Sequence, residues 1–298
     1  MEEKYLLIKG INGLCNMLSA LSKGIQLARE SNRIIVVDWV NCSWKTGFDK
    51  YFELHDDIKH MKYQDFIMQN NENKTIFPIE FKNKLNANVY HIYPDIDNLK
   101  IINYNKYFGN INDGTMINGN YEILVYCYNY VGDKYFIDLW SKISVNDEIM
   151  KEYNTVLMKN KMEIYDAIHV RYTDCKHGNL DWVTEILEND NNKNKKYYIA
   201  TDNKKVLIHC ILRHDNIFNN LTILKIDEPM HLIDCETREK EIINRESIID
   251  LLILGHANVL YINPIYDAYM KGHITMNIHP STYSIYAKLI NSFYKKLN

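Results

Sequence analysis

The segment HVRYTD at residues 169–174 joins an apolar run to polar side chains that can bind a ligand. The run at 167–170 has the length and β-branched content of a buried strand. Ligands of open parallel sheets bind beyond the carboxyl ends of the strands, where Arg171 would lie. Its planar guanidinium can hold a diphosphate, and Asp174 can fix that guanidinium or a ligand hydroxyl. The alternative interpretation is a structural ion pair between Arg171 and Asp174.

The segment GINGLCN at residues 10–16 follows one strand-like run and opens a helical pattern. A helix start presents backbone N–H groups and the positive end of the helix dipole, which suit a phosphate or a sugar hydroxyl. The segment lacks the third glycine of a dinucleotide-binding loop and the Lys-Ser/Thr pair of a P-loop. An ordinary strand-to-helix turn capped by Asn12 is the competing interpretation.

Two further segments could contribute to a site. The sequence YYIATDN at 197–203 predicts a strand and a polar turn, where Asp202 either binds a ligand or caps the next helix. The sequence STYS at 281–284 predicts a helix start whose hydroxyl and N–H groups could receive a phosphate.

Short apolar runs alternate with helical patterns along most of the chain. The runs lie at 5–8, 34–37, 123–126, 167–170, 197–200, 221–226 and 259–262. Such alternation favours α/β architecture with parallel sheets. The pattern is weak at 55–120 and clear on both sides of it, so we predict two lobes, at 1–155 and 156–298.

Composition narrows the class of protein. The chain has 298 residues, of which 46% are hydrophobic, and a net charge of −3, so we expect neither disorder nor nucleic-acid binding. Its six cysteines show no C-x-x-C spacing, and the first ten residues lack the basic start of a secretion signal. No apolar run approaches the ~20 residues of a membrane span. We therefore expect a cytoplasmic protein.

Taken together, the four segments resemble those of the GT-B fucosyltransferase superfamily, which includes α1,6-fucosyltransferases and protein O-fucosyltransferases. The sequence GLCNML at 13–18 is similar to its N-terminal loop, HVRYTD to its arginine motif and IATD at 199–202 to a third element. Glu246 and Ser247, followed by 281–284, match its closing helix, strand and serine-rich helix start. The resemblance implies two Rossmann-like lobes with a ligand cleft between them. The donor would bind mainly to 156–298, and the acceptor would enter from 1–155.

The resemblance also implies roles for individual residues. Arg171 would contact the donor diphosphate. Other residues would contact guanine, ribose or phosphate of the donor, namely His169, Asp174, Asp202, Ser281 and Thr282. The loop residues lining the cleft would be Asn12, Gly13 and Asn16. The chain departs from the family pattern at Tyr172, Met17 and Asn179, which replace a second arginine, a basic residue and, in some members, a glutamate base.

Transfer of a sugar from a diphosphate with inversion needs a stabilised leaving group and a base on the acceptor hydroxyl. Arg171 could stabilise the diphosphate without a metal, because charge develops there in the transition state. The base is predicted to be Asp181, a displaced carboxylate, with His177 as the alternative. Asp181 could instead cap a helix. We predict a metal-independent, inverting glycosyltransferase that needs no cofactor and moves L-fucose from GDP-fucose to a glycan or glycoconjugate hydroxyl.

Other functions stay open at this point. A metal site could use His209, Cys210, His214, His231 and Cys235, two pairs of which have the i, i+4 spacing of one helical face. A non-catalytic nucleotide-sugar or glycan-binding module would explain Tyr172 and Asn179. A GT-B transferase with another nucleotide-sugar donor is the third alternative.

Overall fold

The computed structural model describes residues 3–69, 71, 73–94, 120–127, 139–172, 179–189, 191, 193–220, 235–270 and 282–297. The chain divides into two compact units, Met1–Asn146 and Asp147–Asn298. Both contain parallel sheets and helices, so the predicted α/β class is confirmed. The run predicted as a strand at 221–226 lies outside the described residues.

The first unit contains a parallel sheet whose strands follow the order β4-β2-β1-β6-β5. A short antiparallel pair, β3 with β7, lies outside this sheet. The described strands are β1 (Tyr5–Lys9), β2 (Ile34–Asp38), β3 (Phe52–Leu54), β4 (His60–Met61), β5 (Ile76–Phe77), β6 (Ile123–Tyr126) and β7 (Ile143–Val145). The described helices are α1 (Leu14–Ser31), α2 (Tyr63–Met68) and α3 (Val89–Ile92), with 3₁₀ turns at Phe48–Lys50 and Ile79–Phe81.

Helix α1 packs closely on strand β1 because of a glycine. A Cβ atom on Gly24 would lie 2.3 Å from Cδ1 of Ile8, so a larger residue there would force the two elements apart. The apolar positions Leu21 and Ile25 of α1 are buried. Helix α1 ends at Ser31, and the next residue, Asn32, has the left-handed backbone (φ 49°) that is typical of a helix C-terminus. This packing places the start of α1 directly after the carboxyl end of β1.

The second unit contains a parallel sheet with the order β10-β9-β8-β11. Its described strands are β8 (Asp166–Val170), β9 (Tyr197–Thr201), β10 (Ile217–Phe218) and β11 (Leu260–Tyr261). Its described helices are α4 (Asp147–Lys159), α5 (Asp181–Glu188), α6 (Lys204–Ile211), α7 (Thr237–His256), α8 (Pro264–Met270) and α9 (Thr282–Leu297). Strand β8 is buried along its whole length, which confirms the buried strand predicted at 167–170.

The boundary predicted at 155/156 falls inside helix α4, and the structure divides the chain earlier, before Asp147. Helix α4 buries Ile149 and Tyr153. Helix α4 also contacts α7 through a hydrogen bond, in which Nη1 of Arg245 donates to the carboxylate of Glu152 at 2.9 Å. These contacts with α7 make the whole helix part of the second unit.

Each sheet reverses its strand order next to one strand. From β8 the chain builds β9 and β10 on one side and later places β11 on the other side. Strand β1 has the same position in the first sheet, between β2 and β6. Ligands of open α/β sheets bind outside the carboxyl ends of strands at such reversals. The segments after β1 and β8 therefore lie where a ligand site is expected.

Candidate functional site

Arg171 and Asp202 meet at the carboxyl ends of β8 and β9. The two strands pair in parallel, with Val170 opposite Thr201, so the next residue of each strand lies beside the other. Nε of Arg171 lies 3.9 Å from Oδ2 of Asp202, and their side chains are 21% and 12% exposed. The remaining oxygen of Asp202, Oδ1, accepts the backbone N–H of Tyr172 at 2.9 Å. One carboxylate thus lies beside the guanidinium and accepts the backbone N–H that follows it.

The helix cap after β9 is Asn203 and not Asp202. The side chain of Asn203 accepts the N–H groups of Lys205 (2.9 Å) and Val206 (3.3 Å) at the start of α6. The capping interpretation of Asp202 is therefore wrong. The adjacent amide caps the helix, so the Asp202 carboxylate serves the end of β8.

His169 is a buried residue of β8, 7% exposed. Its Nδ1 lies 2.8 Å from Oγ of Ser284 in α9, and its ring lies 5.1 Å from the ring of Tyr283. Burial, and secondarily the nearby charge of Arg171, lower the pKa of His169 to about 3. The imidazole is consequently neutral at physiological pH, with one donor and one acceptor nitrogen. The donor contact that the resemblance implies for His169 stays a prediction.

Helix α9 begins at Thr282, in the segment predicted to open a helix. The hydroxyl of Tyr283 donates to the backbone carbonyl of Ser247 in α7 at 2.6 Å. Ser247 is itself buried and donates its hydroxyl to the carbonyl of Ile243. The first turn of α9 is therefore fixed by hydrogen bonds to both β8 and α7.

Asp181 is the first residue of α5 and is exposed. Its carboxylate accepts a hydrogen bond from the side-chain amide of Asn179, whose Oδ1 accepts the N–H of Asp181 at 3.3 Å. The N-cap is Leu180, and its side chain makes no capping hydrogen bond within the described residues. The capping interpretation of Asp181 is therefore wrong, because Asp181 lies inside the first turn. The amide of Asn179 therefore contacts a carboxylate two residues later in the sequence.

The glycine loop of the first unit opens α1 at Gly13, which makes no side-chain cap within the described residues. Asn12 does not cap the helix. It has a left-handed backbone (φ 57°), and its Oδ1 accepts the hydroxyl of Tyr90 at 2.8 Å. Oδ1 of Asn16 is buried and has no hydrogen-bond partner among the described residues. An amide oxygen in this state can accept a hydrogen bond from a ligand hydroxyl or N–H group.

Some predicted site residues lie outside the described residues. These are Asp174, His177 and Ser281, together with the side chain of Thr282. Among the predicted residues that the structure describes, it brings together Arg171 with Asp202, and it connects His169 to the start of α9.

Comparison with known proteins gives matches in structure and none in sequence. No family model matches the chain, and no curated protein matches its sequence. The fucosyltransferase NodZ from Bradyrhizobium matches with a TM-score of 0.63 at 14% identity, over 97% of this chain and 94% of that chain. NodZ α-1,6-fucosyltransferase soaked with GDP-fucose gives a TM-score of 0.66 at 14% identity over 97% and 93%.

POFUT1 in complex with GDP-fucose matches with a TM-score of 0.59 at 12% identity, over 97% of this chain and 94% of that chain. The chain has the GT-B fold of these fucosyltransferases. The similarity extends over almost the full length of both chains. The fold implied by the sequence motifs of the GT-B fucosyltransferase superfamily is thereby confirmed.

Sequence reasoning missed a buried ion pair beneath the glycine loop of this GT-B chain. Lys9 and Asp38 end the paired strands β1 and β2, and neither side chain is exposed to solvent. Nζ of Lys9 contacts Asp38 and donates to the carbonyl of Leu85 at 2.9 Å. The N–H of Gly10 donates to the carbonyl of Asp38 at 2.8 Å. A charged residue at the end of each of two apolar runs is the signal that could have revealed this pair.

The residues of the alternative metal site do not form a cluster in the described part of the chain. No group of three or more His, Cys, Asp or Glu side chains is arranged there to hold a metal ion. Nε2 of His209 instead lies 2.9 Å from the hydroxyl of Thr184. Cys210 is buried in α6, and His231 lies outside the described residues.

None of the helices in the described ranges has both the length and the apolar character that a bilayer crossing requires.

Proposed function

We propose that the chain is an inverting glycosyltransferase that moves L-fucose from GDP-fucose to a hydroxyl of a glycan or glycoconjugate without a metal. The observation that carries the proposal is the pairing of Arg171 with Asp202 at the carboxyl ends of two parallel strands. The pair lies next to a strand-order reversal, where α/β sheets bind ligands. Structural neighbours with the same fold were solved with GDP-fucose, which supports this choice of donor.

The role of Arg171 follows from the charge that develops during transfer. The acceptor oxygen bonds to C1 of fucose while the bond from C1 to the diphosphate oxygen breaks, and its electron pair leaves with GDP. A fixed guanidinium at the diphosphate stabilises that growing charge. Asp202 keeps the guanidinium in place from its Nε side. Arg171 is therefore assigned to the leaving group.

The acceptor hydroxyl must lose its proton as it attacks. We assign the proton to the carboxylate of Asp181, which is exposed and contacts the amide of Asn179. Asn179 cannot accept a proton, but its hydrogen bond holds the carboxylate of Asp181, two residues later in the sequence. His177 is the alternative base.

The glycine loop of the first unit is assigned to the acceptor. Gly13 leaves the start of α1 without a side-chain cap in the described structure, and Asn16 presents a buried acceptor oxygen without a partner there. Tyr90 holds Asn12 through its hydroxyl, so the loop has a defined conformation. A sugar acceptor offers hydroxyl groups that match both features.

The cytoplasm is the proposed location. Cys42 and Cys210 are buried as thiols, and burial raises the pKa of each to about 12. Buried thiols of this kind suit a reducing compartment.

A non-catalytic nucleotide-sugar-binding module is the second candidate function. Two substitutions favour it: Asn179 replaces a glutamate, and Tyr172 replaces a second arginine. Tyr172 contributes its backbone N–H to Asp202, which a residue of any type could do. A module of this kind would bind GDP-fucose without releasing GDP.

Nucleotide binding tests the proposed donor. Thermal unfolding and calorimetry with GDP, UDP and dTDP should show that GDP raises the melting temperature most, since a ligand that binds only the folded state stabilises it. Incubation with GDP-fucose should then release GDP, as the fucosyl group passes to the hydroxyl of an added glycan or, more slowly, to water, which separates a transferase from a binding module. Stronger stabilisation by UDP or dTDP would contradict the choice of GDP-fucose.

A further inference from the structure

The first turn of α9 is attached to β8 and α7 by one buried and one part-buried hydrogen bond, which together we call the α9 latch. It consists of His169 on β8, Tyr283 and Ser284 on α9, and Ser247 on α7. Nδ1 of His169 lies 2.8 Å from the hydroxyl of Ser284, and the hydroxyl of Tyr283 donates to the Ser247 carbonyl at 2.6 Å. Ser284 and Ser247 are each 1% exposed.

The latch connects two parts of the proposed donor site. His169 lies in β8, two residues before Arg171, which follows the end of the strand, and Ser284 lies two residues after the first residue of α9. A hydrogen bond between them fixes the start of α9 relative to the end of β8. The N–H groups of a helix start and an arginine can together hold a diphosphate only if their spacing is fixed.

The bond also occupies the Nδ1 atom of His169. The buried imidazole is neutral. The serine hydroxyl donates to Nδ1 when the proton is on Nε2, and it accepts from Nδ1 when the proton is there, so the bond forms with both tautomers. The ring of Tyr283 packs against the imidazole at 5.1 Å. The side chain of His169 therefore joins β8 to α9 through its contacts with Ser284 and Tyr283.

We propose that His169 and Ser284 are positioning residues, which set the first turn of α9 relative to Arg171 and so control the affinity for the GDP diphosphate. This inference rests on the proposed function. It differs from the role implied by the sequence resemblance, because His169 acts here through Ser284 and not by touching the nucleotide. The latch uses Nδ1 of His169, so a direct contact with the nucleotide would use Nε2. Substitutions that replace only one of the two nitrogens therefore separate the two roles.

Two substitutions of His169 distinguish the roles. The side-chain amide of asparagine reaches the position of Nδ1, whereas that of glutamine reaches the position of Nε2. If the latch is the function, His169→Asn binds GDP more tightly than His169→Gln, whose Kd rises about three- to tenfold above wild type, as expected for loss of one buried hydrogen bond. Ser284→Ala should raise the Kd like His169→Gln.

A matched control tests loosening of α9 in general. Asn291, in the same helix, is 4% exposed and donates to the carbonyls of Gly255 and Ala257 at 3.1 and 2.7 Å. Asn291→Ala should lower the melting temperature and leave the Kd for GDP within about twofold, because its bonds lie away from the start of the helix. If Ser284→Ala fails to fold, Tyr283→Phe tests the second bond of the latch, with a raised Kd expected.

Isothermal titration of each variant with GDP gives the result. A raised Kd for Ser284→Ala and His169→Gln, together with tighter binding by His169→Asn than by His169→Gln and near-normal binding by Asn291→Ala, supports the latch. The reverse order of the two His169 variants, or equal binding by all variants, overturns it while the proposed function stands. A wild-type protein that does not bind GDP overturns the proposed function and the latch role with it.

Discussion

Acidification should destabilise the folded chain through His169. Its pKa is about 3 in the buried site, compared with 6.5 for an ordinary histidine. Between these values the unfolded chain binds a proton that the folded chain does not, so stability falls as the pH falls. The stability that depends on a neutral His169 is fully present above pH 6.5 and is lost progressively as the pH falls toward 3.

The size of the effect follows from the two pKa values. From pH 7 to pH 5 the unfolded histidine becomes protonated and the folded one does not, which costs about 2 kcal/mol at ~1.4 kcal/mol per pH unit. His169→Asn removes the titrating group and keeps a polar atom near Ser284. Urea unfolding of both proteins at pH 7 and pH 5, followed by circular dichroism, measures the difference.

Comparing wild type with His169→Asn cancels the effect of the other titrating groups on the pH dependence of stability. Burial also lowers the pKa of His209 and His256, but both histidines are present in the two proteins and their effects cancel. Wild type should therefore lose about 2 kcal/mol more than the variant. Equal losses would show that His169 is protonated in the folded chain, and the reasoning from its burial would be wrong.

Three further predictions concern the base, the metal and the first unit. Asp181→Asn should lower kcat by roughly 10²- to 10⁴-fold with GDP binding unchanged. His177→Gln should lower kcat much less, and the reverse pattern would assign the base to His177. Activity should persist in excess EDTA, and loss restored by Mn²⁺ would contradict the role of Arg171. Lys9→Ala should lower the free energy of unfolding by about 3–5 kcal/mol in urea, because it leaves Asp38 charged and buried; a change near zero would argue against the pair.

The sequence predicted the parts of the fold that depend on local pattern. The runs ending at Val170 and Ala200 are strands with both faces buried, so both are mostly apolar, with His169 as the exception. The domain boundary depends on which face of α4 packs against α7. That contact joins Glu152 to Arg245, 93 positions apart, and no local pattern reports it.

In the candidate site, too, the sequence predicted what depends on local pattern and missed what depends on contacts between distant residues. Arg171 and Asp202 were each predicted to follow a strand, but their pairing was not predicted, because the sequence does not show that the two strands are neighbours in the sheet. The cap at Asn203 was missed because two neighbouring residues have equal capping tendency, and only the backbone decides between them. The bond from His169 to Ser284 spans 115 positions and depends on the docking of α9.

The most direct test of the account is kcat/KM for GDP-fucose in Arg171→Lys. Lysine keeps the charge but lacks the planar fork, so the variant should fall below about a tenth of wild type, a loss of more than ~1.4 kcal/mol. Arg213→Lys is the matched control, since Arg213 pairs with Glu188 at 3.3 Å on the surface and should keep wild-type activity. An Arg171→Lys enzyme that is folded and retains more than about a tenth of wild-type kcat/KM would contradict the central claim.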